Sequence, residues 1–236
     1  MKKSLIALAV AAALVPSLAM AEAGDIVVRL RATHISPDEG SDLGKKSFET
    51  YGTDLYGNRG AELRVDSNTI PELDFSYYIT KNIAAELILA LGSKHDVSIS
   101  GLAAGAAVTN KNLGEVNLLP PTLTLQWHFN PDQMIDPYVG AGVTYARAMD
   151  NGLSAQSAVG GLPIRIDRNN WGAALQAGVD VNLENRWLVN FDVKKIFIDT
   201  DVKLNGAAAG LPAGYRKIDN LDIDPWVISV GFGKKF

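Results

Sequence analysis

Trp171-Gly172-Ala173-Ala174-Leu175-Gln176-Ala177-Gly178-Val179-Asp180-Val181 sets Trp171, Ala173, Leu175, Ala177, Val179 and Val181 against Gly172, Gln176, Gly178 and Asp180. Successive side chains of a strand point to opposite faces, so this segment has one apolar face and one face of glycine and polar groups. Its length matches the ~9–11 residues that cross a bilayer as a tilted strand. A strand of a soluble sandwich alternates too. The reading therefore turns on how often the pattern recurs and on what joins the repeats.

It recurs seven more times. Ile26, Val28 and Leu30 oppose Val27, Arg29 and Arg31, and Leu73, Phe75, Tyr77 and Ile79 oppose Glu72, Asp74, Ser76 and Tyr78. Ala85, Leu87, Leu89 and Leu91 stand against Ala84, Glu86, Ile88 and Ala90. Leu119, Leu123, Leu125, Trp127 and Phe129 oppose Thr122, Thr124, Gln126 and His128. Val139, Ala141, Val143 and Tyr145 oppose Tyr138, Gly140, Gly142 and Thr144. Trp187, Val189, Phe191 and Val193 oppose Asn190, Asp192 and Lys194. The last run sets Trp226, Ile228, Val230, Phe232 and Phe236 against Ser229, Gly231 and Gly233.

The links discriminate. Thr80–Asn82, Asn130–Asp136 and Glu184–Arg186 are short, whereas His34–Asp66, Ser93–Asn117, Ala148–Asn169 and Asp199–Asp222 are long. Strict alternation puts every short link at one end of an up-and-down antiparallel sheet. Tight turns at one end and long loops at the other are the layout of an outer-membrane barrel. The fold expected is all-β: an eight-stranded antiparallel transmembrane barrel over residues 22–236.

Residues 1–21 read as a secretory signal. Lys2 and Lys3 precede an apolar run from Leu5 to Val15, and Ala19-Met20-Ala21 supplies small residues for cleavage. Without Lys2 and Lys3, 20 basic side chains face 26 acidic ones, a net charge of −6. Such a balance, with no basic run, argues against a nucleic-acid partner. There is no cysteine, so disulfides cannot supply stability. Beyond the signal no stretch approaches the ~20 apolar residues of a spanning helix, yet 47% of the chain is hydrophobic. Only a closed barrel satisfies its backbone in hydrocarbon without helices.

Aromatic residues fall at the ends of the runs. Trp127, Phe129, Trp187, Phe232 and Phe236 lie near the short links, and Tyr145, Trp171, Phe197 and Trp226 near the long ones. Two girdles at the headgroup levels are expected of such a barrel. Phe236 ends the outward series like the carboxyl-terminal signature of outer-membrane barrels, the element by which the assembly machinery would engage the last strand. Lys234 interrupts that series close enough to the interface to snorkel.

The local motifs resemble the OmpW family, AlkL-like members included. They are Ala23-Gly24-Asp25, Lys81-Asn82-Ile83 with Glu86-Leu87, Lys94-His95-Asp96, and Leu119-Pro120-Pro121-Thr122-Leu123-Thr124-Leu125-Gln126. Pro137-Tyr138-Val139-Gly140-Ala141-Gly142, the Trp171–Asp180 segment, Ile198-Asp199-Thr200-Asp201 and Asp224-Pro225-Trp226-Val227 complete the set. The resemblance implies a barrel admitting small hydrophobic molecules and releasing them sideways into the bilayer, with Pro120 and Pro121 at the lateral opening. Proline donates no ladder hydrogen bond, so the pair should leave a gap; a strand start after a long loop would tolerate it as well. The chain departs from the family at Val193-Lys194-Lys195, where an inward aromatic has become Lys194. With Arg29, Arg31, Asp74, Glu86, Ile88, Gln126 and Asp192 also inward, the lower lumen is expected to be filled by paired charges.

Uptake of hydrophobic solutes is the function this implies, with outer-membrane lipid and lipopolysaccharide as surroundings. A structural or adhesive barrel, whose external loops bind envelope or host partners without transport, is the alternative. The apolar stretches Gly101–Val108, Ala158–Pro163 and Ala207–Pro212 are expected to form an exposed, substrate-collecting mouth. No enzyme, cofactor or metal is expected. His34, His95 and His128 read as isolated, Asp132 and Asp136 as turn formers, and Ser93 with His95 as the one nucleophile–base candidate, lacking a carboxylate. Asp74 and Glu86 are read as facing one another across neighbouring strands, in a structural rather than catalytic pair.

Overall fold

The computed structural model describes residues 22–90, 92–150, 152–158, 160–207 and 210–236. The expected signal segment and Leu91 lie outside these. The strands are β1 (Ile26–Ser36), β2 (Glu62–Val65), β3 (Asn68–Tyr78), β4 (Ile83–Ala90), β5 (Ser93–Ser100), β6 (Asn112–Leu119), β7 (Thr122–His128) and β8 (Ile135–Asp150). They continue as β9 (Gly152–Ser157), β10 (Gly160–Ile166), β11 (Asn169–Asn182), β12 (Trp187–Phe197), β13 (Asp199–Leu204), β14 (Arg216–Asp222) and β15 (Trp226–Lys235), with an α-helix, α1 (Leu43–Tyr51), and a 3-10 turn at Glu184–Arg186.

Eight of the strands form a ring. The order β1-β3-β4-β7-β8-β11-β12-β15 returns to β1, every neighbour antiparallel, with Val27 opposite Lys235 and Ser36 opposite Trp226 at the closure. Closure leaves no backbone edge to face hydrocarbon. Among the described residues, the eight alternating runs have the faces expected. Leu30, Leu123, Leu125, Val143, Leu175, Phe191 and Ile228 are exposed, while Arg29, Arg31, Glu72, Asp74 and Asp192 are buried. An exposed belt of this size is unsustainable in water and natural in lipid. Leu125→Arg, within that belt, is expected to lower stability by roughly 2–4 kcal/mol in lipid-vesicle unfolding measurements.

Glycines on the inner face make room for the long charged chains. A Cβ at Gly231 would strike the Leu30 carbonyl, and one at Gly233 would sit 2.7 Å from Cγ of Arg29. At Gly178 it would collide with the Tyr138 ring. Small residues on one strand thus let arginine and tyrosine on the next lie flat across the bore.

Among the described residues, the long links form regular strands and one α-helix. β5, β6 and β2 extend the ring upward, and β9, β10, β13 and β14 form a second, four-stranded sheet. Between them packs an external core that includes Leu43, Tyr56, Leu63, Val97, Leu113, Leu162 and Leu204. This corrects the exposed apolar mouth. Val108 and Leu162 are buried in that core and Leu102 and Leu211 pack against it, while mainly alanine, glycine and proline of the three stretches stay outside. The larger apolar side chains find a dry partner, which is where their transfer free energy sends them.

Candidate functional site

The lower barrel is filled by one connected charge network. Arg31 Nε lies 2.6 Å from Glu72 and its Nη2 2.8 Å from Asp74. Arg29 reaches Asp180 at 2.6 Å, Asp74 at 3.2 Å and the Ser76 hydroxyl at 2.6 Å. Glu86 accepts from Thr124 at 2.9 Å and from Gln176 at 2.8 Å. Gln176 and Tyr138 also donate to Asp192, which pairs with Lys194. Paired and hydrogen-bonded in this way, buried charges are tolerated; stripped of partners, they are not.

Every lumen residue expected from the sequence lies in this interior. Ile88 is buried at the top of the β4–β7 ladder, and Gln126 neighbours His128, its Oε1 lying 3.3 Å from Nε2. Asp74 pairs in register with Ile88 and Glu86 with Ser76, so the two carboxylates are diagonal neighbours that share Arg31 rather than direct opposites. The readings of Asp136 and of the histidines need correction. Asp136 is not merely a turn former: it is buried inside the barrel, 2.7 Å from Nδ1 of His128, while its other oxygen accepts from the Asn130 amide. His128 is therefore not isolated, and it stacks between Tyr78 and Tyr138, each ring centre 5.0 Å away. Asp132 lies in a short link and pairs with Lys81 of another.

Above the charged floor the lumen turns apolar. A cavity of about 100 Å³ is walled by residues such as Ile35, Val97, Val116, Leu118, Ile196 and Ile198. That is several times the ~10–15 Å³ that holds one water. Pro120 lines it, as do Ser93, His95, Thr144, Asn170 and Thr200. Ser93 and His95 share a face, as their spacing requires. The Ser93 hydroxyl lies 2.8 Å from Nε2 of His95, whose Nδ1 lies 2.8 Å from the Asp66 carbonyl, so His95 is not isolated either.

Beside the cavity the wall is incomplete on one side. The β4–β7 ladder stops at Ile88 opposite Thr122, and the β5–β6 ladder resumes at Ser93 opposite Leu118. Among the described residues, none of 89–92 pairs with any of 119–121. Gly92 holds a left-handed φ of 72° in this break. Towards β8 the wall is whole: Leu119 pairs with Arg147, Thr122 pairs with Thr144, and the Tyr145 amide donates to the Pro121 carbonyl at 3.0 Å. In a strand, one residue's N–H and C=O point to the same neighbour. Pro121 thus withholds a donor from β8, and Pro120 withholds one from the break.

The girdle tryptophans all face outward. Trp171 packs on Tyr145 with ring centres 4.7 Å apart at the external end, where Trp226 also lies. Trp187 sits 6.4 Å from Phe232 at the other end, where Trp127 is exposed as well. Phe236 donates its amide to the Ile26 carbonyl at 2.7 Å, and Lys234 lies over the Trp187 ring.

Comparison with known proteins agrees with this architecture. The sequence profile of the OmpW family matches residues 22–236. Outer membrane protein W of Escherichia coli is 35% identical over all of this chain and 99% of its own length. Outer membrane protein AlkL of Ectopseudomonas oleovorans is 27% identical over 72% of this chain and 67% of its own. The crystal structure of OprG from Pseudomonas aeruginosa superposes with a TM-score of 0.73 at 29% identity, covering 91% of this chain and 97% of that one. A closed ring of eight strands with an apolar belt, matched over the whole chain by outer membrane protein W, leaves one assignment: the chain is an outer-membrane β-barrel and belongs to the OmpW family.

Proposed function

We propose that the protein is a passive route for small hydrophobic molecules into the outer membrane. Solute enters the apolar chamber from the external side and leaves through the wall at Pro120 and Pro121 into the bilayer. One observation carries this reading: Pro120 both lines the apolar cavity and stands at the break in the ladder between residues 89–92 and 119–121. The floor of paired charges supports it. A greasy molecule that descended further would strip Arg29, Arg31 and their carboxylates of partners, so the sideways path is lower in free energy.

The test is uptake of a hydrophobic tracer by proteoliposomes, comparing the native protein with the Pro120→Val, Pro121→Val variant. Valine at 120 supplies a donor to the break, and one added hydrogen bond of about 1 kcal/mol lowers the open population roughly fivefold. Uptake should fall by about that factor. Equal uptake by the variant rejects the lateral opening, and uptake matching empty vesicles rejects transport. In planar bilayers the charged floor should hold steady conductance near baseline; a large, persistent current would refute the closed lower barrel. Phe236, tied to the first strand through Ile26, is assigned to recognition by the assembly machinery.

A further inference from the structure

We propose that the chamber selects apolar solutes carrying a hydroxyl group, an alcohol or a phenol, held by Ser93 on one wall and Thr200 on the other; this rests on the uptake reading above. The Asp66 carbonyl can only accept, so the hydrogen of a neutral His95 ring sits on Nδ1, where it donates across 2.8 Å. Nε2 is then an acceptor, and the Ser93 hydroxyl commits its proton to it across 2.8 Å. With its proton so committed, the Ser93 oxygen keeps lone pairs and no hydrogen to offer a ligand. It welcomes a donor.

The second handle is independent of the first. Thr200 is 2% exposed and lines the same cavity, and its hydroxyl has no hydrogen-bond partner among the described residues. A buried hydroxyl left this way costs free energy that a ligand's polar group would recover. Thr200 stands on β13, the upward continuation of β12, and Ser93 on β5, the continuation of β4. β12 and β4 are diametrically opposite in the ring. Of the other polar groups of the chamber, Thr144 pairs with Thr122 at 2.8 Å and the Asn170 amide nitrogen donates to the Asp167 carbonyl at 3.1 Å. A bare hydrocarbon satisfies neither handle, and an ether or ketone is served by Thr200 alone.

Two isomers of matched size decide it: 4-ethylphenol, which donates, and 4-methylanisole, which only accepts. Binding is measured by equilibrium dialysis of the full mature protein in lipid nanodiscs, with partition into empty nanodiscs subtracted. The phenol should bind about five- to tenfold more tightly, the range one net hydrogen bond supplies. Ser93→Ala should bring the ratio near one. Thr200→Val should keep or raise it, because the ether then loses its single donor. Equal binding of the isomers to the native protein, or an unchanged ratio in Ser93→Ala, overturns the proposal and leaves uptake standing. Binding of neither isomer above empty nanodiscs overturns the proposal and the uptake reading together.

Discussion

Arg31→Met is expected to lower the unfolding free energy by about 3–5 kcal/mol, because it leaves buried carboxylates without their cation. The guanidinium contacts Glu72, Asp74 and Glu86, and all four side chains are 3% exposed or less. The charge balance makes arginine the more expensive partner to lose. Among the described residues the barrel interior buries the cations Arg29, Arg31, Lys194 and Lys235 against the carboxylates Glu72, Asp74, Glu86, Asp136, Asp180 and Asp192. Removing a cation widens an existing surplus of negative charge; removing a carboxylate narrows it. Glu72→Gln should therefore cost clearly less than Arg31→Met, and the double variant should recover part of the loss. Urea unfolding in lipid vesicles, followed by tryptophan fluorescence, reads all three. Lys45→Met on the exposed face of α1 is the control and should stay within about 0.5 kcal/mol. If Arg31→Met behaved like that control, the network would contribute nothing to holding the barrel shut.

The sequence revealed the barrel because its signal is local. Facing in a strand is fixed by parity, so Leu125 and Gln126 declare their sides without reference to any other strand. The partners of the inward charges are not local. Arg29 meets Asp74 across 45 positions of chain and Asp180 across 151. Parity placed all three in the lumen but could not pair them. Asp136 was misread because a carboxylate beside a short turn has an obvious local use, and its buried partner His128 belongs to the preceding strand. The external core was missed for a different reason. Ser93 to Ser100 and Gly160 to Ile166 alternate over only a few residues each, and their outer faces carry polar residues, glycine and proline rather than the large apolar groups of the lipid belt, so they read as loop. The inward glycines were visible as Gly178, Gly231 and Gly233, yet their use as slots for Tyr138, Arg31 and Arg29 needs the neighbouring strand. At Pro120 and Pro121 the sequence showed two missing donors. That one faces the break and the other faces β8 follows only from the register.

Ala146→Trp is expected to reduce tracer uptake to the level of empty vesicles while leaving a folded barrel. Ala146 lines the cavity, and Leu119 pairs with Arg147 while Tyr145 bonds the Pro121 carbonyl, so the register sets Ala146 opposite Pro120. An indole there occupies the space between the chamber and the break. Overpacking a filled core commonly costs about 1–3 kcal/mol, but here the ring grows into existing space, so the stability cost should fall at or below that range. Ala173→Trp is the matched control: Ala173 is exposed on the lipid side of β11, where an added ring meets only hydrocarbon, and uptake should be unchanged. The pair separates two routes that the proline variants cannot. If solute slid along the outside of the barrel, the tryptophan at 146 would be silent and the one at 173 would disturb it. If solute passes through the chamber, the order reverses, because an indole at 146 stands in the space between the cavity and the break that a passenger must cross.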